Sequence, residues 1–151
     1  MTSRGTVWVA TQFVLMAAVV ATGFVPPDWP EDAQRPLSVV GAILAVAGLA
    51  FAVWSGRALG RALTPFPRPV VAGLVTSGPF AIVRHPIYLA WVLMVFATPV
   101  MTTSRLVFAA ISTLYLIAAI PFEERSLRQT FGESYIRYMR DVRWRMIPFI
   151  Y

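Results

Sequence analysis

Leu74-Val-Thr-Ser-Gly-Pro79, then Val83-Arg-His-Pro-Ile-Tyr88, then the apolar run from Ile87 to Pro99: this stretch decides how the chain is read. It carries the only histidine of 151 residues, set between an arginine and a proline at the mouth of an apolar segment. Proline suits the first turn of a helix, where its missing N–H leaves no hydrogen bond unmade. The residue before a proline is pushed towards extended backbone, so His85 marks a helix boundary. An imidazole, a guanidinium and free helix N–H groups meet there, a combination suited to a polar ligand with an anionic part.

The surroundings are hydrocarbon. The chain is 58% hydrophobic and 13% charged, with a mean hydropathy of +0.67. A soluble domain carries about a quarter charged residues, so this composition predicts a single integral membrane domain over residues 1–151. Cysteine is absent, which excludes disulfides and thiolate chemistry. With one histidine as well, no metal site is expected. The formal charge of +6 comes from arginine alone, since lysine is absent. No basic-aromatic motif accompanies it, so no nucleic-acid partner is expected.

Four apolar runs predict an all-α bundle of about four transmembrane or membrane-entering helices: 6–25, 37–55, 87–99 and 106–121. The first two are long enough to cross a core of about 30 Å at about 1.5 Å per residue. The first is read as a retained helix, because its apolar stretch exceeds that of a signal peptide. The last two form a shorter hairpin around Thr98-Pro-Val-Met-Thr-Thr-Ser104. Loop charge gives the orientation. The first loop holds Asp28, Glu31 and Asp32 against Arg35, whereas the second loop, 56–86, holds Arg57, Arg61, Arg68 and Arg84 and no acid. The tail, 122–151, is rich in arginine. The positive-inside rule then puts both termini and the second loop in the cytoplasm, with the chain in the cell inner membrane.

Within the tail, Leu127, Phe131, Tyr135, Tyr138 and Val142 recur at helical spacing. They predict one amphipathic cytoplasmic helix, with Glu124–Arg128 as an i,i+4 pair on its wet side. Glu123 and Glu124 follow Pro121; one could face a ligand, but by themselves they read first as favouring the N-terminus of that helix through its dipole. Tyr88, Tyr135 and Tyr138 are accounted for by packing or by an aromatic belt.

Taken in order, the parts make a longer pattern: Leu74 to Pro79, Arg-His-Pro-x-Tyr at 84–88, an apolar hairpin, Glu123-Glu124, Phe131-Gly-x-x-Tyr135-x-x-Tyr138 and Arg145-x-x-Pro148. Over residues 56 to 150 this resembles the isoprenylcysteine carboxyl methyltransferase family and its relatives among membrane methyltransferases. The chain departs from that family where Val142-Arg143-Trp144 replaces the frequent Val-Pro, and it has fewer spans than the eukaryotic members.

The resemblance implies S-adenosylmethionine as methyl donor. It implies a cofactor pocket made by Leu74, His85, Pro86, Tyr88, Glu123, Tyr135 and Tyr138, with Arg84, Glu124 and Arg145 at the reacting end. The acceptor is expected to be lipophilic, drawn from the membrane or lipidated. A carboxylate gripped by Arg84 comes first; a phospholipid, an amine or a thiol are the alternatives, and the last two need a base. The rival classes are a nicotinamide-dependent membrane reductase and a non-catalytic lipid-binding bundle.

Overall fold

The computed structural model describes residues 3–60, 73–97 and 102–151, with side chains from residue 7 onwards. Five α-helices follow one another: α1 Ser3–Ala21, α2 Glu31–Leu59, α3 Pro86–Phe96, α4 Thr103–Phe131 and α5 Glu133–Asp141. No strand occurs among the described residues. Three of the helices, α1, α2 and α4, supply windows long and apolar enough to cross a membrane, and α3 is a shorter apolar helix. The protein is an integral membrane helical bundle. Lipid takes the place of water around it: Val14, Val20, Val39, Ile43, Val46 and Leu49 face outward.

Each boundary has a local cause. Glu31 and Asp32 occupy the first turn of α2, where their charge opposes the positive helix end. The expected start at 37 cuts this helix too late. Only one turn precedes Pro36, so its missing N–H removes a single ladder bond. Pro86 opens α3. The Thr102 side chain caps α4, accepting from Arg105 N at 3.1 Å.

The largest departure is α4. It was expected to stop at Pro121, yet it runs 29 residues, about 43 Å. Glu123 and Glu124 therefore sit inside it and not at the start of a tail helix. The expected amphipathic stripe is also divided. Gly132 adopts φ +53° and ends α4, a left-handed conformation that glycine adopts without a steric penalty. Leu127 and Phe131 stay on α4, whereas Tyr135 and Tyr138 stand on α5. They still meet in one apolar cluster with Val142, Leu74 and Met139. The wet-side pair is absent too: Glu124 is fully buried, and Arg128 Nε reaches its backbone carbonyl at 3.3 Å instead. The Leu63-to-Pro69 segment and residues 98–101 of the hairpin turn lie outside the described residues.

Packing pairs α2 with α3 and α1 with α4, and α3 joins the two pairs by also touching α4. Between helices in lipid, close contact and hydrogen bonds do the work that water exclusion does elsewhere. Gly48 lets α2 approach α3: a Cβ there would lie 2.7 Å from Met94 Cγ and 3.0 Å from the Ala90 carbonyl. Trp91 Nε1 donates to Ser112 Oγ at 3.0 Å, tying α3 to α4. Tyr115 donates to the Trp8 carbonyl at 2.6 Å, tying α4 to α1. These contacts bring the first turn of α3 beside the last third of α4, where the charged residues are.

Candidate active site

The first turn of α3 is held from outside the helix. Arg84 N donates to the Trp144 carbonyl at 2.9 Å and His85 N to the Arg145 carbonyl at 2.7 Å. The segment after α5 thus lies along the entry to α3, bringing Arg145 to a site separated from it by about sixty residues of chain. From α4, Glu124 enters the same space with 0% exposure.

Arg84 is committed internally. Its Nε donates to Glu124 Oε1 at 2.8 Å. Its Nη1 donates to the carbonyls of Val142 at 2.7 Å, Arg143 at 3.2 Å and Met139 at 3.5 Å. Arg145 approaches the other oxygen of Glu124, with Nε 3.4 Å from Oε2. Its Nη1 donates to the Tyr151 hydroxyl at 3.0 Å, and the guanidinium stands 5.2 Å over that ring. Burial works against the charge of Arg145, but the Tyr151 hydrogen bond and the Glu124 carboxylate outweigh it and hold its pKa above the usual value. One carboxylate thus faces two guanidinium groups. Removing one partner from a buried set of this kind leaves an uncompensated charge.

His85 lies between the two glutamates. Its Nδ1 is 3.6 Å from Glu123 Oε2 and its Nε2 is 3.6 Å from Glu124 Oε1. The ring stacks on Tyr88 at 5.4 Å, and Tyr88 donates to Glu123 Oε2 at 2.8 Å. The side chain makes no capping bond to α3, so capping does not account for this histidine. Tyr138 donates to the Phe80 carbonyl at 2.7 Å, fixing α5 to the segment before α3. Burial, and then the Glu124 carboxylate, push the Tyr135 phenol well above its ordinary pKa.

Three buried atoms of this cluster have no hydrogen-bond partner among the described residues: His85 Nε2, Glu124 Oε2 and the Tyr135 hydroxyl. Buried polar atoms are nearly always satisfied. Three exceptions in one cluster make it the candidate ligand site, with Arg145 Nε 3.4 Å from Glu124 Oε2 and Glu124 Oε1 3.6 Å from His85 Nε2 as the charges that face two of them. No metal-ligating group of three acidic or histidine side chains occurs among the described residues.

The sequence-derived set is therefore divided between two neighbouring places. Arg84, His85, Tyr88, Glu123, Glu124 and Arg145 converge in the ionic cluster, with Pro86 opening the helix beneath them. Leu74, Tyr135 and Tyr138 form the adjoining apolar cluster, and both phenols feel the charges of Glu124 and Arg84. Tyr151 and the carbonyls of Met139, Val142 and Arg143 were not anticipated. The carbonyls carry no side-chain signal, and Tyr151 reads in sequence as one more apolar tail residue.

Several known proteins are similar to part of this chain. The chain is 47% identical over 68 residues to a methanethiol S-methyltransferase of Crocosphaera subtropica, covering 45% of this chain and 26% of that protein. It is 47% identical over 60 residues to the methanethiol S-methyltransferase of Mycobacterium tuberculosis, covering 40% and 25%. It is 36% identical over 72 residues to protein-S-isoprenylcysteine O-methyltransferase B of Arabidopsis thaliana, covering 46% and 36%. The matched stretch spans between about a quarter and just over a third of these relatives' length. The family model described as phospholipid methyltransferase matches residues 37–134, from α2 to the second residue of α5, and so takes in Arg84, His85, Glu123 and Glu124. The chain belongs to that family of membrane methyltransferases.

Proposed function

We propose that the protein transfers a methyl group from S-adenosylmethionine to a small lipophilic thiol at the membrane surface. The observation that carries this reading is the convergence of His85, Glu123, Glu124 and Arg145 at the edge of an apolar bundle, where His85 Nε2, Glu124 Oε2 and the Tyr135 hydroxyl lack hydrogen-bond partners among the described residues. The residues present fit the cofactor. Its cationic ammonium and sulfonium match Glu123 and Glu124, its carboxylate matches Arg145 and the N-terminus of α3, and its hydroxyls match the Tyr135 hydroxyl. When bound, it supplies a methyl group on a sulfonium centre.

The thiol is favoured by the methanethiol methyltransferases among the relatives. It is favoured too by the commitment of Arg84 to Glu124 and to three carbonyls. A guanidinium whose Nε and Nη1 are so engaged has only Nη2 left for an acceptor carboxylate and cannot grip it through the Nε edge, so Arg84 positions Glu124 in this reading. A thiol attacks as its thiolate, and nearby positive charge favours that form. Arg145 supplies the charge. His85 takes the proton at its free Nε2, and Glu123 and Glu124 stabilise the imidazolium that results. Bringing both reactants to one desolvated point supplies the rest.

Carboxylate methylation is the second reading, favoured by one observation: the Arg145 side chain is 34% exposed and can turn towards an anion. Purified protein in lipid nanodiscs, given methyl-labelled S-adenosylmethionine and in turn a short alkyl thiol, a prenylated cysteine acid and a phospholipid amine, tests all of these by mass spectrometry of the products. Label in the thioether supports the proposal. Binding of a nicotinamide nucleotide with none of S-adenosylmethionine would overturn it in favour of a reductase.

The same reading places the cluster on the cytoplasmic face of the cell inner membrane, from the basic second loop and tail. Cysteines introduced at Asp32 and Ser134 should label from opposite sides of sealed vesicles; labelling from one side rejects that orientation.

A further inference from the structure

We propose that the turn formed by residues 146–151 is a membrane anchor, whose Phe149 and Ile150 side chains enter the acyl region of the leaflet at the cluster end of the bundle. These two side chains are 85% and 78% exposed. Trp144 packs against Phe149 at 5.5 Å between ring centres, and Ile82 is exposed nearby, across a groove that Phe149 and Trp144 also line. In water this would be an apolar tip that nothing among the described residues covers.

Its place in the bundle argues for lipid as the cover. Met146 is fully buried in the same cluster as Leu89 and Val92 of α3 and Leu116 and Ile120 of α4, and Ile147 and Tyr151 pack on that cluster. The turn therefore lies level with the apolar parts of two membrane helices, not above them. Four of the five backbone N–H groups of the turn are met within it. Met146 N and Ile147 N both donate to the Tyr151 carbonyl, at 2.8 and 3.0 Å. Ile150 N and Tyr151 N both donate to the Ile147 carbonyl, at 3.2 and 2.9 Å, and Pro148 has no N–H. The Phe149 N–H has no backbone partner among the described residues, which keeps the backbone of the turn at the interface while its two side chains reach into the acyl region.

Phe149 holds φ +66°, the only described non-glycine residue at positive φ. That conformation is disfavoured for a bulky side chain, and glycine or asparagine is the usual occupant. Keeping a phenylalanine there presents an aromatic ring outward, which serves a lipid-facing turn and not a water-facing one. Arg140 and Arg143, both exposed, flank the turn and outnumber the intervening Asp141, which suits anionic headgroups.

The absence of cysteine makes the test direct. Phe149→Cys, and independently Ile150→Cys, would carry an environment-sensitive fluorophore in nanodiscs containing anionic phospholipid. Ser134→Cys, on the exposed side of α5, is the reference. Nitroxide on the lipid acyl chains should quench positions 149 and 150 several-fold more than 134, and aqueous iodide should do the reverse. Equal iodide quenching at all three positions overturns the proposal. Protection from iodide without nitroxide quenching, together with self-quenching that rises with copies per disc, overturns it in favour of contact between two copies of the chain.

Discussion

The two ends of α4 handle polar groups in opposite ways. Where α4 begins, short local contacts finish the structure. Thr103 N donates to both Asp28 oxygens at 3.0 and 3.1 Å, Trp29 Nε1 donates to Thr103 Oγ1 at 3.2 Å, and Arg105 Nη2 donates to the Ala97 carbonyl at 3.2 Å. Asp28, Trp29 and Thr103 lie close to water, and Arg105 Nε is the buried atom there with no partner among the described residues. About 32 Å further along the helix axis, Glu124 is fully buried among two arginines and a histidine, and its Oε2, His85 Nε2 and the Tyr135 hydroxyl lack hydrogen-bond partners among the described residues. The first arrangement ends a helix. The second costs stability to assemble, a cost that the proposed cofactor would offset.

The strongest way to break this contrast is Glu124→Ala. It leaves Arg84 buried without its partner, which costs about 3–5 kcal/mol. It should lower the unfolding temperature in detergent sharply and remove cofactor binding. If Glu124→Ala unfolds at the wild-type temperature, the cluster is not an interdependent charge set and the contrast fails.

His85→Ala separates function from fold at the same end. Its side chain makes no capping bond to α3 and its Nε2 has no hydrogen-bond partner among the described residues, so the unfolding temperature should change far less than in Glu124→Ala. Loss of the base should slow thiol methylation about 10²–10⁴-fold while leaving cofactor affinity much closer to wild type by calorimetry. Turnover of a carboxylate acceptor, which needs no base, should be far less affected. Equal loss on both acceptors would assign His85 to cofactor binding, as the sequence resemblance implies.

Gly48→Val tests the middle of the bundle, away from both ends. The added atoms meet Met94 and the Ala90 carbonyl, and overpacking of this kind costs about 1–3 kcal/mol. Thermal unfolding should show the loss. Because α3 carries His85 at its start, methylation should fall with it, and unchanged unfolding would show that α2 and α3 can separate freely.

The smallest effect belongs to Asp28→Asn. Hydrogen bonds from the Thr103 side chain and then its N–H hold the Asp28 carboxyl below the usual carboxylate range. A folded-state value below the unfolded one gives support that is complete above the unfolded value, about pH 4, and is lost as pH falls through the folded value. The wild-type advantage in unfolding temperature should thus be slight at neutral pH and vanish in acid, with methylation untouched. A drop in methylation would mean that the two ends are coupled.

Much of this molecule was legible in its sequence because membrane burial is a property of long segments. A run such as Thr6 to Val25, without a charge, has one stable location whatever its neighbours do. Pro86 likewise fixes a helix start locally, and Arg-His-Pro-x-Tyr with Glu123-Glu124 named most of the cluster in advance. What the sequence did not determine depends on partners far away in the chain. Pro121 reads as a stop, but packing on α1 and α3 carries α4 through it. Glu124 reads as a wet residue paired with Arg128, and only the arrival of Arg84 and Arg145 makes its burial tolerable. The stripe from Leu127 to Val142 reads as one helix because periodicity cannot see that Gly132 has turned left-handed while the same side chains still meet. Tyr151 reads as an apolar tail residue, and the turn that sets it beside Arg145 exists only in the folded bundle. Segment hydropathy is a sum over neighbours in sequence; the energy of a buried charge is set by neighbours in space.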